Sequence, residues 1–400
     1  NYNLTNNGSS DGMVIKYENI ELGNPITLQA QSIGENSDDQ IYSVVGTSDG
    51  GYVVGGKFQS SSITVGDYTL TNAGSTDSSD GMVIKYNSNG EVEWVTSIGG
   101  SSTDEITSVA ETSDGGYIVG GKFQSSSITV GGYILTNAGI TSFSDGMVIK
   151  YNSNGKVEWV TSIGGSSTDE ITSVAATADG GYIVGGHFSD IITVGNYNLT
   201  NNGSSDGMVI KYDSSGEVEW ATNIGGMDSD EITSVAVTVD GYIVGGYFYS
   251  DSITIGDYTI TSKQATYSGM VIKYDVNGNV KWVTSVGNET GQITSVVGTS
   301  DGGYIAGGVF YSDSISVGDY TIKNNSSSEI YADGIVIKYS SSGEVEWAKG
   351  IGGSNNDYIN SVVGTSDGGY IVGGHLGSSI TVGNYNLTNN GSSDGMVIKY

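Results

Sequence analysis

Apolar and polar positions alternate over short stretches of this chain, and no stretch shows helical spacing over a useful length. The segment EVEWVTSI places Val92 and Trp94 on one face and its acidic residues on the other. The segment EITSVAET alternates in the same way, and GMVIKY is a short apolar run rich in strand-forming residues. The pattern predicts short β-strands throughout.

These strand signals recur with a period of 61 to 69 residues. The landmark DGMVIKY begins at Asp11 and returns, with small changes, at Asp80, Asp145, Asp206, Ser268, Asp333 and Asp394. One period predicts strands a and b joined by the turn SDGG, a long connection holding a small hairpin, and strands c and d joined by the turn NSNG. In the second copy of the first hairpin, we place strand a at Ile106–Glu111 and strand b at Tyr117–Phe123. In the copy of the second hairpin that precedes it, we place strand c at Met82–Tyr86 and strand d at Glu91–Ile98.

Four short antiparallel strands in each of six periods predict an all-β fold, a six-bladed β-propeller of four-stranded blades. An open superhelical array of the same blades is the alternative. The Gly pair of strand b, Gly120 and Gly121, allows close backbone approach or a bulge between blades. Five tryptophans hold equivalent places in strand d and are expected to pack between blades: Trp94, Trp159, Trp220, Trp282 and Trp347.

Residues 1–17 and 384–400 are identical copies, and the same seventeen residues recur at 196–212. Counting strands gives one c strand more than six blades need. We predict a single propeller over residues 1–400 whose sixth blade is shared between the terminal strands, which removes exposed sheet edges. The favoured explanation of the surplus copy is excision from a longer array. The alternatives are that the C-terminal copy fills the slot within its own chain, or that one copy pairs with a neighbouring molecule.

The repeat W…GG…DE…SVA…SDGGYIVGG…DGMVIKY…NGEVEW resembles the bacterial β-propeller repeats usually called SBBP repeats, over essentially all 400 residues. The resemblance implies a large secreted or surface-attached bacterial protein, and therefore an extracellular or cell-surface location. It carries no shared catalytic residues. This chain departs from the pattern in having no Arg and in having Gln29 where the first copy should carry Trp.

The charge of −30, from 44 acidic residues against 14 lysines, narrows the choice of partners. Such a field repels phosphate backbones and anionic lipid, and no apolar run reaches membrane-spanning length, so we expect no nucleic-acid binding and no membrane insertion. The absence of Cys excludes disulfides, thiolate zinc sites and a thiol nucleophile. The absence of Arg argues against the propeller glycosidases of the sialidase kind, which hold a carboxylate with arginines.

We expect no enzymatic activity, because the acids recur in every repeat and no residues form a unique nucleophile–base set. The two histidines, His187 and His375, occupy the same strand position, where a variable surface residue is the favoured interpretation and ligand binding the alternative.

No cofactor is expected, with calcium as an alternative to simple turn formation. Its candidate ligands are acidic pairs that we place in the loop before strand a: Asp104, Glu105, Asp169, Glu170, Asp230 and Glu231.

The connections between strands b and c differ most among the copies, and variable loops on a rigid scaffold are where binding concentrates. Their aromatic residues Phe143, Tyr267 and Tyr331 are the candidate ligand contacts. We therefore predict a non-enzymatic, adhesion-type scaffold that presents variable loops to a protein or glycan. The alternatives are a structural subunit that assembles head to tail by terminal strand exchange and, last, a hydrolase with acids in a central channel.

Overall fold

The computed structural model describes residues 6–7, 10–17, 28–75, 77–140, 142–262, 266–287, 290–326, 330–365 and 367–400. Over these residues the regular structure is entirely β-strand, as the sequence predicts. The chain begins with an antiparallel hairpin of β1 (Gly12–Tyr17) and β2 (Leu28–Ile33).

Each following period contributes an a strand, a b strand, two short strands of the connection, a c strand and a d strand, in that order. The first period comprises β3 (Asp39–Gly46), β4 (Tyr52–Phe58), β5 (Ser62–Val65), β6 (Tyr68–Thr71), β7 (Asp80–Tyr86) and β8 (Val92–Ile98). The second comprises β9 (Asp104–Glu111), β10 (Tyr117–Phe123), β11 (Ser127–Val130), β12 (Tyr133–Thr136), β13 (Asp145–Tyr151) and β14 (Val157–Ile163). The third comprises β15 (Asp169–Ala176), β16 (Tyr182–Phe188), β17 (Ile191–Val194), β18 (Tyr197–Thr200), β19 (Asp206–Tyr212) and β20 (Val218–Ile224).

The remaining periods follow the same plan. The fourth comprises β21 (Asp230–Thr238), β22 (Gly241–Phe248), β23 (Ser252–Ile255), β24 (Tyr258–Thr261), β25 (Ser268–Asp275) and β26 (Val280–Val286). The fifth comprises β27 (Gly291–Gly298), β28 (Tyr304–Phe310), β29 (Ser314–Val317), β30 (Tyr320–Lys323), β31 (Asp333–Tyr339) and β32 (Val345–Ile351). The last comprises β33 (Asp357–Gly364), β34 (Tyr370–Leu376), β35 (Ile380–Val382), β36 (Tyr385–Leu387) and β37 (Asp394–Lys399).

The a, b, c and d strands of a period form one antiparallel sheet in that order, as in β3-β4-β7-β8, and we number these sheets blades 1 to 6. Blades 1 to 5 have four strands each, and blade 6 has three among the described residues, in the order β33-β34-β37. Among the described residues, the two short strands of each connection pair only with each other. The fold is thus the predicted six-bladed β-propeller, with four antiparallel strands in each of blades 1 to 5 and three described strands in blade 6.

The chain divides into two compact units, residues 1–182 and 183–400. In each unit the c strands form the centre of the core; all seven residues of β7, for example, are buried. Blades pack on both faces of such a strand, and this explains why the landmark reads as a continuous apolar run rather than an alternating one.

The Gly pair of strand b provides both a close approach of the blades and a bulge, the two roles that the sequence suggested. A Cβ on Gly120 would lie 2.7 Å from Cγ2 of Ile171 and from Cγ1 of Val174, both on the next a strand. A Cβ on Gly121 would lie 2.1 Å from the carbonyl oxygen of Glu105, at a shift in register between β9 and β10. The first glycine lets the blades approach, and the second accommodates a bulge.

Strands at the a position of neighbouring blades are also joined by hydrogen bonds from the repeated Thr-Ser pair. The hydroxyl of Thr107 donates to the carbonyl oxygen of Ile171 at 2.6 Å. The hydroxyl oxygen of Ser108 accepts from the backbone N–H of Val174 at 3.1 Å. These bonds explain why two polar residues lie between the apolar residues Ile106 and Val109 of β9.

In blades 1, 2, 4, 5 and 6 a lysine near the end of the c strand pairs with the aspartate of the turn between strands a and b. Lys85 is 1% exposed, and its Nζ lies 2.8 Å from Oδ2 of Asp49 and 3.0 Å from Oε2 of Glu93. It also donates to the carbonyl oxygen of Tyr86 at 2.9 Å. The turn SDGG thus supplies a counter-ion as well as a tight bend, because a buried ammonium needs charged partners.

Blade 6 differs from the shared-blade prediction. Strand β37, from the C-terminal copy of the repeated segment, pairs with β34 from Ile371↔Lys399 to Leu376↔Asp394. Strand β1, from the N-terminal copy, pairs with β2. The C-terminal copy therefore fills the c position within its own chain, because the short connection through β35 and β36 makes β37 the nearer strand. The organisation of residues 1–400 as one closed domain stays a prediction.

Candidate functional site

The connections from b to c and from d to a meet at one end of each blade. In blade 2 the last residue of β10, Phe123, pairs with Asp145 at the start of β13 and with Asp104 at the start of β9. We call this the connection end. The predicted ligand contacts and the predicted metal ligands all lie at the connection ends of their blades.

The acidic pairs lie in the first two positions of the a strands, not in the loops before them. Asp104 begins β9 and is fully buried. Its Oδ1 accepts from the backbone N–H groups of Gln124 and Ser125, and its Oδ2 accepts from Gly100 N–H and the Ser125 hydroxyl, at 2.6–3.1 Å. Asp230 accepts the equivalent bonds, and Asp169 accepts one from Gly165 N–H. These aspartates organise the loop, because the carboxylate pairs N–H groups that would otherwise be unsatisfied.

The second residue of each acidic pair forms ion pairs. Nζ of Lys57 lies 2.7 Å from Oε1 of Glu105, and Nζ of Lys122 lies 2.9 Å from Oε2 of Glu170. Burial lowers the pKa of Lys57, but its hydrogen bonds with Glu105 and Tyr42 outweigh that effect and raise it. In unit 2, Nδ1 of His187 lies 3.9 Å from Oε2 of Glu231.

No group of three or more metal-binding side chains occurs in the part of the chain that the structure describes. The six candidate calcium ligands instead have other partners. Calcium binding by these acids stays a prediction.

A second buried aspartate adjoins each first one at the start of strand c. Asp80 is 1% exposed; its Oδ2 accepts from Ala73 N–H at 2.9 Å, and its Oδ1 has no hydrogen-bond partner among the described residues. Burial raises the pKa of Asp80 to about 6, with a further contribution from the charge of Asp104. Between blades 4 and 5, Ser268 at the start of β25 and Gly291 at the start of β27 replace both aspartates together. The two acids therefore recur as a unit.

The structure separates the three aromatic residues predicted to contact a ligand. Phe143 is 36% exposed in unit 1, at a turn closed by its N–H and the carbonyl of Ile140. Tyr267 is half-buried against Tyr247 and Tyr249, with ring centroids 5.2 and 4.8 Å away. Tyr331 lines a cavity at the connection end of blade 6.

One cross-strand pair varies strongly at this end while the surrounding strands stay uniform. The pair is Gln40 and Lys57 in blade 1, Glu105 and Lys122 in blade 2, Glu231 and Tyr247 in blade 4, Gln292 and Val309 in blade 5, and Tyr358 and His375 in blade 6. Blade 6 thus carries two aromatic rings, those of Tyr358 and His375, at a pair that includes a charged or polar side chain in the other four of these blades. His375 does lie at a variable position, as the sequence indicated, but it is half-buried rather than a simple surface residue.

The rings of blade 6 form one wall of a cavity of about 570 Å³. The rings of Tyr358 and His375 stack with centroids 4.7 Å apart and planes at 25°. The hydroxyl oxygens of Tyr358 and Tyr311 lie 3.0 Å apart, which fixes the tilt of Tyr358.

The other walls of this cavity are polar and carry no formal charge. They comprise Tyr331, Asn355, Asn356, Ser392 and Ser393. Nδ2 of Asn355 donates to the carbonyl of Gly377, and Oδ1 of Asn356 accepts from Ala332 N–H at 3.0 Å. No Asp, Glu or Lys lines the cavity among the described residues. Sequence reasoning found Tyr331 but missed Tyr358; the signal was a Tyr at the position where three copies carry Glu.

Comparisons with known proteins give distant relatives. No family model matches the chain. It is 23% identical over 260 residues to the regulatory protein FlaEY of Caulobacter vibrioides, covering 62% of this chain and 26% of that protein. It is 24% identical over 482 residues to the uncharacterized WD repeat-containing protein L264 of Acanthamoeba polyphaga mimivirus, covering 100% of this chain and 34% of that protein. The chain thus spans only about a quarter to a third of each relative's length.

Solved structures that resemble the chain include WD40 domains. The Neurospora crassa Pan2 WD40 domain matches with TM-score 0.40 and 10% identity, over 83% of this chain and 85% of that one. The extracellular domain of the putative one component system BT4673 from B. thetaiotaomicron matches with TM-score 0.43 and 13% identity, over 92% of this chain and 38% of that one. Similarity at this level assigns no activity. The strand order and the repeats establish the chain as a β-propeller repeat protein.

Proposed function

We propose that the chain is a non-enzymatic scaffold that binds a protein or glycan at the connection ends of its blades. The observation that carries this proposal is the cavity of blade 6, where two aromatic residues occupy the cross-strand pair that includes at least one charged or polar side chain in blades 1, 2, 4 and 5. A uniform frame that carries a divergent, concave and partly apolar site is the usual arrangement of a binding protein.

The chemistry of the acids supports a non-catalytic role. The carboxylates of Glu105 and Glu170 form ion pairs with lysines, and Asp104 is buried under four hydrogen bonds. A general acid or base needs to reach its substrate, and these groups are already occupied by structural partners.

We further propose that the chain acts in an adhesion-type role outside a bacterial cell or on its surface, as the resemblance to SBBP repeats suggests. Among the described residues, no helix is both long and apolar enough to cross a membrane. The negative charge keeps nucleic acid an unfavourable partner.

Binding to intact cells tests this proposal. Fluorescently labelled chain is incubated with a panel of bacterial and host cells, and bound label is measured by flow cytometry. We expect saturable binding that falls when Phe143, Tyr267 and Tyr331 are all changed to Ala. The matched control changes Tyr133 and Tyr320, exposed tyrosines of the connection hairpins, to Ala. No saturable binding, or equal binding by the triple variant and the double control variant, would overturn the proposal.

Self-assembly is the second candidate, favoured by one observation. The edge of β37 facing away from β34 pairs with no strand in the described part of the chain. A strand from a second copy could add there. Light scattering on the whole chain and on a variant lacking residues 384–400 tests this: equal assembly by the two would exclude it.

A further inference from the structure

We propose that the cavity of blade 6 binds the pyranose ring of a neutral carbohydrate, an inference that rests on the proposed binding function. A sugar ring presents an apolar face of C–H groups and a rim of hydroxyl groups. The cavity offers the complementary surfaces, because the stacked rings of Tyr358 and His375 meet polar side chains around their edge.

The polar groups that would meet the hydroxyl rim have no partner in the described part of the chain. Nδ2 of Asn356, the hydroxyl of Tyr331 and the hydroxyls of Ser392 and Ser393 make no hydrogen bond there, although Oδ1 of Asn356 does. Tyr331 and Asn356 are half-buried and Ser392 and Ser393 are exposed, so water satisfies these groups in the free chain and the hydroxyl groups of a ligand can replace it. Their alignment in one cavity therefore favours a ligand with several hydroxyls.

The charge pattern selects a neutral sugar over an acidic one. No Lys lines the cavity among the described residues, and the chain as a whole carries −30. A sialic or uronic acid would therefore bring its carboxylate into a negative field without a cation to receive it. The volume of about 570 Å³ lies within the usual range for small-ligand sites, roughly 300–1,000 Å³.

The aromatic wall is held in place before a ligand arrives. The hydroxyl contact with Tyr311 fixes Tyr358, and the bond from Asn355 to the carbonyl of Gly377 fixes the facing loop. Prior ordering of this kind raises affinity, because fewer side-chain rotations are lost on binding. A protein loop is the less favoured occupant, since the walls lack the larger apolar anchoring pocket that such a contact uses.

The chain itself supplies fold-neutral variants for the test. Other blades carry Gln at the position of Tyr358, as Gln40 and Gln292, and Lys at the position of His375, as Lys57 and Lys122. Y358Q and H375K therefore place in blade 6 side chains that this strand pair accepts elsewhere. Y358F keeps the stack and removes only the hydroxyl contact.

The experiment measures binding of neutral methyl pyranosides, namely methyl glucoside, galactoside, mannoside and N-acetylglucosaminide, by saturation-transfer NMR and calorimetry, with sialic acid as the acidic comparator. We expect at least one neutral sugar to bind and sialic acid not to bind. Y358Q and H375K should each weaken binding about tenfold or more, and Y358F by no more than about threefold. K122A, at the same strand position of blade 2, should bind as the unchanged chain does.

Three results would overturn the inference: no neutral sugar binds, sialic acid binds better, or Y358Q and H375K bind sugar as well as the unchanged chain. If one of these three results is obtained but the chain still binds to cells, the scaffold proposal stands and the sugar assignment fails. If cell binding is also absent, the scaffold proposal fails with it. Competition of cell binding by a peptide digest of surface proteins, but by no sugar, would identify a protein partner and exclude the carbohydrate.

Discussion

The indole of Trp94 in blade 1 stacks on the ring of Tyr151 in blade 2, with centroids 5.8 Å apart and planes at 26°. Its Nε1 donates to the carbonyl of Ser153, and a Cβ on Gly155 would lie 2.6 Å from the indole. Trp220 and Trp282 stand in the same relation to Tyr274 and Tyr339. The tryptophan of a d strand therefore packs against the following blade, as its position in the repeat predicted.

Replacing Trp94 by Ala should lower the free energy of unfolding by about 3 kcal/mol, because a large, partly buried side chain is removed from a blade junction. Trp94→Phe should lose less, since it retains a ring against Tyr151. Urea unfolding followed by circular dichroism measures both. A loss below about 1 kcal/mol for the Ala variant would show that the junction does not depend on the indole.

Gly120→Ala should destabilise the chain by about 1–3 kcal/mol, because the new methyl group would overlap Ile171 and Val174. The matched control is Gly373→Ala, at the same position of blade 6, where no atom lies within 4 Å of the added Cβ. We expect the control to stay within about 0.5 kcal/mol of the unchanged chain in the same urea titration. Equal losses in both variants would point to backbone effects rather than close approach of blades.

Stability should rise as the pH falls from 7.5 to 5.5. Burial raises the pKa of Asp80 and of Asp333 to about 6, each next to a second buried acid, Asp104 or Asp357. The folded state therefore favours the protonated form, and the stability that it contributes is lost as the pH rises through about 6. Thermal melting at constant ionic strength measures the change.

The lower net charge at acidic pH also stabilises the fold, so a variant is needed to separate the contribution of the two aspartates from that of net charge. The double change Asp80→Asn and Asp333→Asn should reduce the gain in melting temperature between pH 7.5 and 5.5. An undiminished gain would assign the pH dependence to net charge alone. Below about pH 4 the trend should reverse, because hydrogen bonds from Lys85 and Thr47 lower the pKa of Asp49 to about 2, and its contribution is lost as the pH falls towards that value.

Asp240→Asn should destabilise the chain more than Asp114→Asn. Lys150 has two carboxylates, Asp114 at 3.0 Å and Glu158 at 3.2 Å, whereas blade 4 carries Lys281 where the second acid would be. Removing Asp240, 2.7 Å from the buried Lys273, leaves that ammonium with neutral partners only. We expect Asp240→Asn to lower the free energy of unfolding, measured in urea, by about 1–3 kcal/mol. A loss for Asp114→Asn as large as that for Asp240→Asn would contradict the role given to Glu158.

Calcium should have little effect on stability. The carboxylates of Asp104 and Glu105 already have hydrogen-bond and lysine partners, so a cation would have to displace them. Melting temperatures in calcium and in EDTA should differ by less than about 1 °C. A larger rise with calcium that disappears in Glu105→Gln would instead establish the predicted metal site.

The repeat determined how much of the fold could be predicted. Turn glycines, alternating strands and the spacing of Trp94 and Gly120 are local signals, and the structure places all of them as expected. The position of Asp104 in the strand was not predictable, because its loop-facing hydrogen bonds come from residues twenty positions away. The burial of Lys85 was hidden for the same reason, since its partner Asp49 lies 36 residues earlier.

The candidate site was predicted only in part. Tyr331 stood out because it lies in a variable connection, whereas Tyr358 and His375 lie within strands and meet only through the pairing of β33 and β34. The seating of β37 beside β34 likewise depended on a choice between two identical segments, which sequence alone cannot distinguish.

The Thr-Ser bonds between neighbouring a strands, together with the Gly and Trp contacts, give successive junctions nearly the same chemistry. If the gene gains or loses one whole period, the blades that become adjacent would therefore contact each other through residues that are already complementary. The exact recurrence of residues 196–212 at both ends of the chain is the kind of record that such copying leaves. Change in this protein can proceed in units of a blade, and the divergent residues Tyr358 and His375 show that a single copy can change while its junctions keep the shared contacts.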